Sequence, residues 1–250
     1  RGATLGLIGP NGSGKSTFMR LAAGIEPADG GELQLLGRDP RQAVERIGWL
    51  AEGCPYPAEL PGPTVLHLLD QARGGDRRAR RARVGEWIER VGLTGAGRTP
   101  IGRFSSGMRR RFGLAAACMH SPDVLLLDEP SSGLDAEGAA LLEALLAEAR
   151  ARAASTLVCS HLPSDLHAAC DALAVLIEGR IATVEAPARL AERVERVELE
   201  VEATGERTDL DVVGLEAELE RRGGRLRATR PTATALARLY ADLASGTERG

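Results

Sequence analysis

Lysine is almost missing from this chain. Of the 32 basic residues among its 250, Lys15 alone is lysine and the other 31 are arginine. An arginine-rich background keeps a lysine where a guanidinium does not fit, so Lys15 marks a position to be explained. Long apolar runs are missing too. One clean run, Val124 to Leu127, meets Asp128 at once, and none approaches the roughly 18–20 residues that cross a bilayer. Any membrane role is therefore expected to go through a partner. No excess of positive charge exists, since 35 acidic residues leave a net charge of −3, and this argues against a general nucleic-acid binder. The charged run Asp76 to Arg83 has no interleaved aromatic and is followed by Glu86 and Glu89, so it reads as a solvated helix face. Cys54, Cys118, Cys159 and Cys170 form no C-x-x-C pair and no metal-ligand spacing. They read as buried free thiols in a reducing compartment. No signal peptide is visible, and the opening Arg1-Gly-Ala-Thr4 lacks methionine and reads as a trimmed start.

What is present is material for a core. With 43% hydrophobic residues, the chain can build one large domain, or one domain with an appendage. Thr4–Ile8, Val124–Leu127 and Thr156–Cys159 are short continuous apolar runs, the pattern of buried parallel strands. Lys15–Ala23 has helical spacing, and Ala136–Arg152 carries Leu141, Leu142, Leu145, Leu146 and Ala149 on one face. Leu173–Ile177 and Arg180–Val184 flank Glu178-Gly179 as a hairpin. Strands alternating with helices predict an α/β domain over residues 1–186. A mainly helical insertion is expected at about 54–120, entered through Pro55, Pro57, Pro61 and Pro63. Residues 187–250 change character. Val197, Leu199 and Val201 alternate with glutamates, then come a charged helix, the Gly223-Gly224 turn, a strand and a helix over Thr232–Leu243. This predicts a small α+β appendage without recognisable chemistry.

Two local patterns carry chemistry. Gly9-Pro-Asn11-Gly12-Ser13-Gly14-Lys15-Ser16-Thr17 matches G-x-x-x-x-G-K-[ST], in which glycines let successive N–H groups turn around phosphate oxygens at the start of a helix. Lys15 supplies a compact point charge for β- and γ-phosphates, and Ser16 a hydroxyl for Mg²⁺. Asp128 and Glu129 end the apolar run from Val124. Asp128 is placed to hold the Mg²⁺ shell, and Glu129 to polarise an attacking water.

Three further segments make the pattern specific. Phe104-Ser105-Ser106-Gly107-Met108-Arg109-Arg110-Arg111 precedes a helix, Ser131-Ser-Gly-Leu-Asp135 follows the carboxylates, and His161 follows a strand. With them the chain resembles the ATP-binding subunit of an ABC transporter over residues 1 to about 185, most like prokaryotic drug- or polymer-exporter types. The resemblance implies a P-loop NTPase fold with a mostly parallel sheet, a helical subdomain, and ATP and Mg²⁺ as ligands. It implies a partner ATPase subunit, as a homo- or heterodimer, with ATP held between one copy's Gly-rich loop and the other's Ser105, Ser106 and Gly107. His161 would contact the γ-phosphate, and Asp135 would link the two sites. A separate integral-membrane subunit would hold the pair at the inner face of the cell membrane, with the proline-rich stretch near Tyr56, Leu60 and Val65 as its docking place.

The sequence also departs from the family pattern. Glu52 stands where the family has glutamine and is expected to ligate Mg²⁺ while adding negative charge. Ser106 and Met108 replace a glycine and a glutamine of the signature, which predicts a weaker contact across the pair. The adenine-stacking aromatic of the family lies upstream of the eight residues preceding Gly9, so an N-terminally truncated chain with weak ATP binding is expected. Two alternatives stay open: an ATP-binding clamp with little turnover, and a soluble ABC-type ATPase not coupled to transport. A P-loop kinase has no use for the signature or for His161.

Overall fold

The computed structural model describes residues 2–74, 76–160, 169–190, 240, 241, 243 and 244. The chain divides into two compact units, Arg1–Pro187 and Ala188–Gly250. In the second, the described Leu190, Tyr240 and Leu243 are buried. The strand expected at Val197–Val201, the charged helix at Leu215–Arg222 and most of the Thr232–Leu243 helix lie outside the described residues.

In the first unit the short apolar runs become strands of one sheet. They are β1 (Thr4–Ile8), β2 (Ile47–Leu50), β3 (Val124–Asp128), β4 (Ser155–Cys159), β5 (Ala172–Ile177) and β6 (Arg180–Glu185). Their order is β2-β3-β4-β1-β5-β6, parallel except for the β5–β6 hairpin. All five residues of β3 are buried, as a strand covered on both faces requires. Side chains alternate with period two. Val124 and Leu126 pack with Met19 and Ala22 of α1 (Lys15–Ala22) on one face. On the other, Gly48 lets α4 (Ser106–Cys118) press against β2, since a Cβ at Gly48 would stand 2.1 Å from the Ala117 carbonyl oxygen. β2 was not foreseen. Its four residues, Ile-Gly-Trp-Leu, carry too little periodicity to separate from a loop.

The stretch between β2 and β3 is helical, as expected: α2 (Gly62–Ala72), α3 (Arg77–Arg90) and α4. Val65, Leu66, Val84, Ile88 and Phe112 form its core, with the Phe112 ring edge-on to Tyr56 at 5.1 Å and to Phe104 at 6.1 Å. Val65 is buried, and Tyr56 and Leu60, both half-buried, pack against the same core, so these three stabilise the helical part. The arginine run is not wholly solvated. Arg80 and Arg83 reach the buried Asp70 of α2 at 2.9 Å and 2.7 Å, because an aspartate facing the α2–α3 seam is stable there as an anion only when paired. α5 (Ala136–Ala151) follows β3 and turns Leu142, Leu145 and Ala149 inward, as its spacing predicts. Cys54, Cys118, Cys159 and Cys170 are all buried free thiols.

Candidate functional site

The Gly-rich loop leaves β1 and enters α1 in six residues, Gly9 to Gly14. Gly9 sits against β5 so closely that a Cβ there would lie 2.2 Å from the Leu176 carbonyl oxygen. Gly14, at φ +104°, is the N-cap of α1 and brings no side-chain oxygen to the first turn. The N–H groups of that turn therefore face outward with the positive end of the helix dipole, the arrangement that binds anions. The β5–β6 turn supports the loop from behind, where Gly179 N–H donates to the Ser13 carbonyl at 2.9 Å. Lys15 Nζ lies over the loop, donating to the carbonyls of Gly9 at 2.8 Å and Pro10 at 3.0 Å. Its flexible stem lets the ammonium cross the loop mouth, which a planar guanidinium does poorly.

Opposite the loop stand the carboxylates. Asn11, Gly12, Gly14, Lys15, Ser16, Thr17, Glu52, Asp128 and Glu129 line one pocket of about 300 Å³. The topology explains the meeting: β4 separates β1 from β3, and both end at the same edge of the sheet because they run parallel. Asp128 is buried, and burial together with Glu52 and Glu129 pushes its carboxyl up to about 6, against the pull of Lys15 and Arg110. A site with three acids and one pocket cation favours a bound cation. Ser16, Asp128 and Glu52 suit Mg²⁺, which takes one or two carboxylates and shares its remaining positions with water and phosphate. Among the described residues no three His, Cys, Asp or Glu side chains form a metal cage.

Not every predicted residue joins this pocket. Ser13 is buried beneath the loop, and its hydroxyl has no partner among the described residues. Ser105, Ser106 and Gly107 lie at the N-terminus of α4, away from the pocket lining. Ser105 Oγ accepts from Met108 N–H at 3.2 Å, which leaves its own hydrogen to donate outward. Gly107 packs on the Ser131–Asp135 turn, since a Cβ there would be 3.0 Å from the Gly133 carbonyl oxygen. Asp135 caps α5, with Oδ1 accepting from Gly138 N–H at 2.8 Å. His161 lies outside the described residues. The residue that sequence reasoning missed is Arg110, which is 8% exposed and donates through Nη1 to the Asp128 carbonyl at 3.1 Å. In the sequence it is one of three consecutive arginines, with nothing to separate it from its neighbours.

A phosphate-type loop between a parallel strand and a helix, facing acids one strand removed, defines a P-loop NTPase. The profile of the family described as ABC transporter matches residues 1–132, more than half of the chain, and the protein belongs to that family. An uncharacterised ABC transporter ATP-binding protein of Nostoc is 35% identical over 186 residues, covering 72% of this chain and 55% of the relative. Nod factor export ATP-binding protein I of Burkholderia orbicola is 33% identical, covering 76% and 64%. Daunorubicin resistance ATP-binding protein DrrA3 of Streptomyces coeruleorubidus is 40% identical, covering 56% and 46%. The chain thus spans about half to two thirds of these relatives' length. A solved ATP-binding subunit of an ABC transporter superposes with a TM-score of 0.71 at 22% identity, covering 98% of this chain and 89% of that one. A dimeric ATP-binding cassette bound to ADP and Pi gives 0.68 at 20%, covering 74% and 86%. At such identities the likeness is one of fold.

Proposed function

We propose that this chain is the ATP-hydrolysing subunit of a membrane ABC transporter, an exporter, driven by ATP-dependent closure of a pair of such subunits. The observation that carries this reading is the one pocket shared by Lys15, Asp128 and Glu129. The N–H groups at the loop and the first turn of α1 bind the β- and γ-phosphates, with Asn11, Gly12, Gly14 and Thr17 shaping the mouth. Ser16, Asp128 and Glu52 would hold Mg²⁺, whose chemistry there is to neutralise phosphate charge. Glu129 takes a proton from water as the water oxygen bonds to the γ-phosphorus and the bond to ADP breaks. His161, two residues past β4 in the sequence, would hydrogen-bond the γ-phosphate. Ser105, Ser106 and Gly107, at an exposed helix N-terminus, would face the ATP of the second subunit, with Asp135 beside the same seam.

On this reading residues 1–186 are the ATPase domain, with a helical subdomain at 54–120, and residues 187–250 are an accessory unit. No described helix is long and apolar enough to cross a membrane, and a separate integral-membrane subunit would hold the pair at the cytoplasmic face. Relatives named for Nod factor export, daunorubicin resistance and linearmycin resistance support export. One observation favours a second reading. Glu52 in the pocket adds a third acid beside the expected γ-phosphate, which suits a clamp that binds ATP and turns over slowly.

The test is Mg²⁺-ATP turnover and oligomeric state for the protein and for Glu129→Gln. Turnover falling by about 100-fold or more in the variant, with ATP-trapped dimers, is the expected result. ATP-dependent dimers without turnover in the parent establish the clamp, and turnover by a strict monomer removes the paired-site reading.

A further inference from the structure

The peptide joining Asp128 to Glu129 is held at both of its polar atoms. Its carbonyl accepts from Arg110 Nη1 at 3.1 Å, and its N–H donates to the Cys159 carbonyl at 3.0 Å. The next rotation along the chain is Glu129 φ, which stands at +49°. An L residue with a full side chain keeps that conformation where its surroundings over-determine it. With the peptide plane clamped between α4 and β4, the Cα–Cβ direction of Glu129 is set, and with it the start of the side chain that lines the pocket.

The source of the clamp is unusual. A guanidinium is rarely buried without a reason, yet Arg110 is 8% exposed. Its neighbours on α4 go elsewhere, Arg109 to the Phe104 carbonyl and Arg111 to the Val91 carbonyl. Three arginines thus tie one helix to three different segments, and the middle one takes the strand end that carries the acids. Its charge also acts on Asp128 from below the pocket, alongside Lys15 and against Glu52 and Glu129.

We infer that Arg110 is a positioning residue for ATP hydrolysis: it orients the Asp128–Glu129 peptide so that Glu129 meets the attacking water, and it ties that orientation to the helix beginning at Ser105. This rests on the ATPase reading above.

The experiment compares steady-state ATP hydrolysis by the parent, Arg110→Met and Arg110→Lys, with circular dichroism and melting to confirm folding. ATP-trapped dimer formation is measured in the Glu129→Gln background, with and without Arg110→Met. The Met variant is expected to lose about 10–100-fold in kcat, the scale of a displaced catalytic group, with the KM for ATP within about twofold. The Lys variant, retaining a charge and a donor, recovers most of that loss. Glu129→Gln dimers form equally well with and without Arg110→Met, because the clamp acts after closure. A Met variant with kcat within about twofold of the parent overturns the proposal, and so does loss of dimer in step with loss of turnover. Should the Met chain not fold, Arg110→Gln replaces it and is judged by the same kcat criterion. A parent without turnover removes the ATPase reading, and this role with it. A parent that turns over beside an unaffected Met variant removes this role alone.

Discussion

Asp70 and Asp128 are both buried aspartates, and the molecule treats them in opposite ways. In the helical region, burial would push the Asp70 carboxyl up, but Arg80 and Arg83 hydrogen-bond it and hold it below the ordinary carboxylate value. At the end of β3, burial and the neighbouring acids Glu52 and Glu129 push Asp128 up to about 6. The first charge is answered inside the fold, so it helps to hold α2 to α3. The second is left in deficit beside an open pocket, so that a ligand bringing positive charge relieves it. A paired buried charge is structural, whereas an under-compensated one at a cleft signals chemistry.

The largest effect that separates the two is on turnover. Asp128→Asn is expected to lower ATP hydrolysis by about 100-fold or more, whereas Asp70→Asn leaves kcat within about twofold; a steady-state ATPase assay of both tests the contrast. Stability should move the other way. Asp70→Asn breaks a buried pair whose arginines are partly exposed, and a loss of about 1–3 kcal/mol in urea unfolding is expected after allowing for screening.

The pH dependence sharpens the same comparison. A folded-state value raised from 3.8 to about 6 at Asp128 means stability that is fully present below pH 3.8 and lost as pH rises through about 6. In chelator, Asp128→Asn removes that loss, about 3 kcal/mol. Glu52→Gln shrinks it and shifts its midpoint to lower pH, because one of the two acids pushing on Asp128 is gone. The smallest effect belongs to His120. Burial, with Arg73 and Arg152 nearby, pushes its imidazole down to about 4, despite its contact with the Ile47 carbonyl. Its folded-state value lies below the unfolded one, so it costs stability as pH falls from 6.5 towards 4, opposite in sign to Asp128. His120→Gln should remove about 1–2 kcal/mol of that acid loss once solvent screening of the half-buried ring is allowed for, read from melting as a function of pH. A pH profile unchanged by His120→Gln would count against the burial argument.

Much of the site was legible in the residue order. The loop Gly9–Thr17 and the acids Asp128 and Glu129 are local patterns whose meaning rests on adjacent backbone and side chains. The strands β1, β3 and β4 announce themselves as apolar runs for the same reason. The core role of Tyr56, Leu60 and Val65 was not legible, because a proline-rich entry to a helical segment looks alike whether its apolar residues face a partner or their own core. Phe112, at the centre of that core, drew them inward. The arginine run that opens α3 was misjudged because Asp70, its partner, is ten and thirteen residues away from Arg80 and Arg83 and on another helix.

Residue order therefore settles whatever a few neighbouring residues can do: cradle phosphate at Gly9–Thr17, end a strand in two acids, begin a helix at Ser105. It does not settle which of Arg109, Arg110 and Arg111 turns inward. On a helix these three point about 100° apart, so at most one can face the sheet, and all three are the same residue. The choice was made when α4 docked on β2 through Gly48 and Gly113, where a Cβ would stand 2.1 Å from the Ala117 carbonyl oxygen and 2.4 Å from Leu50. That close approach brings Arg110, and not its neighbours, to the Asp128 carbonyl.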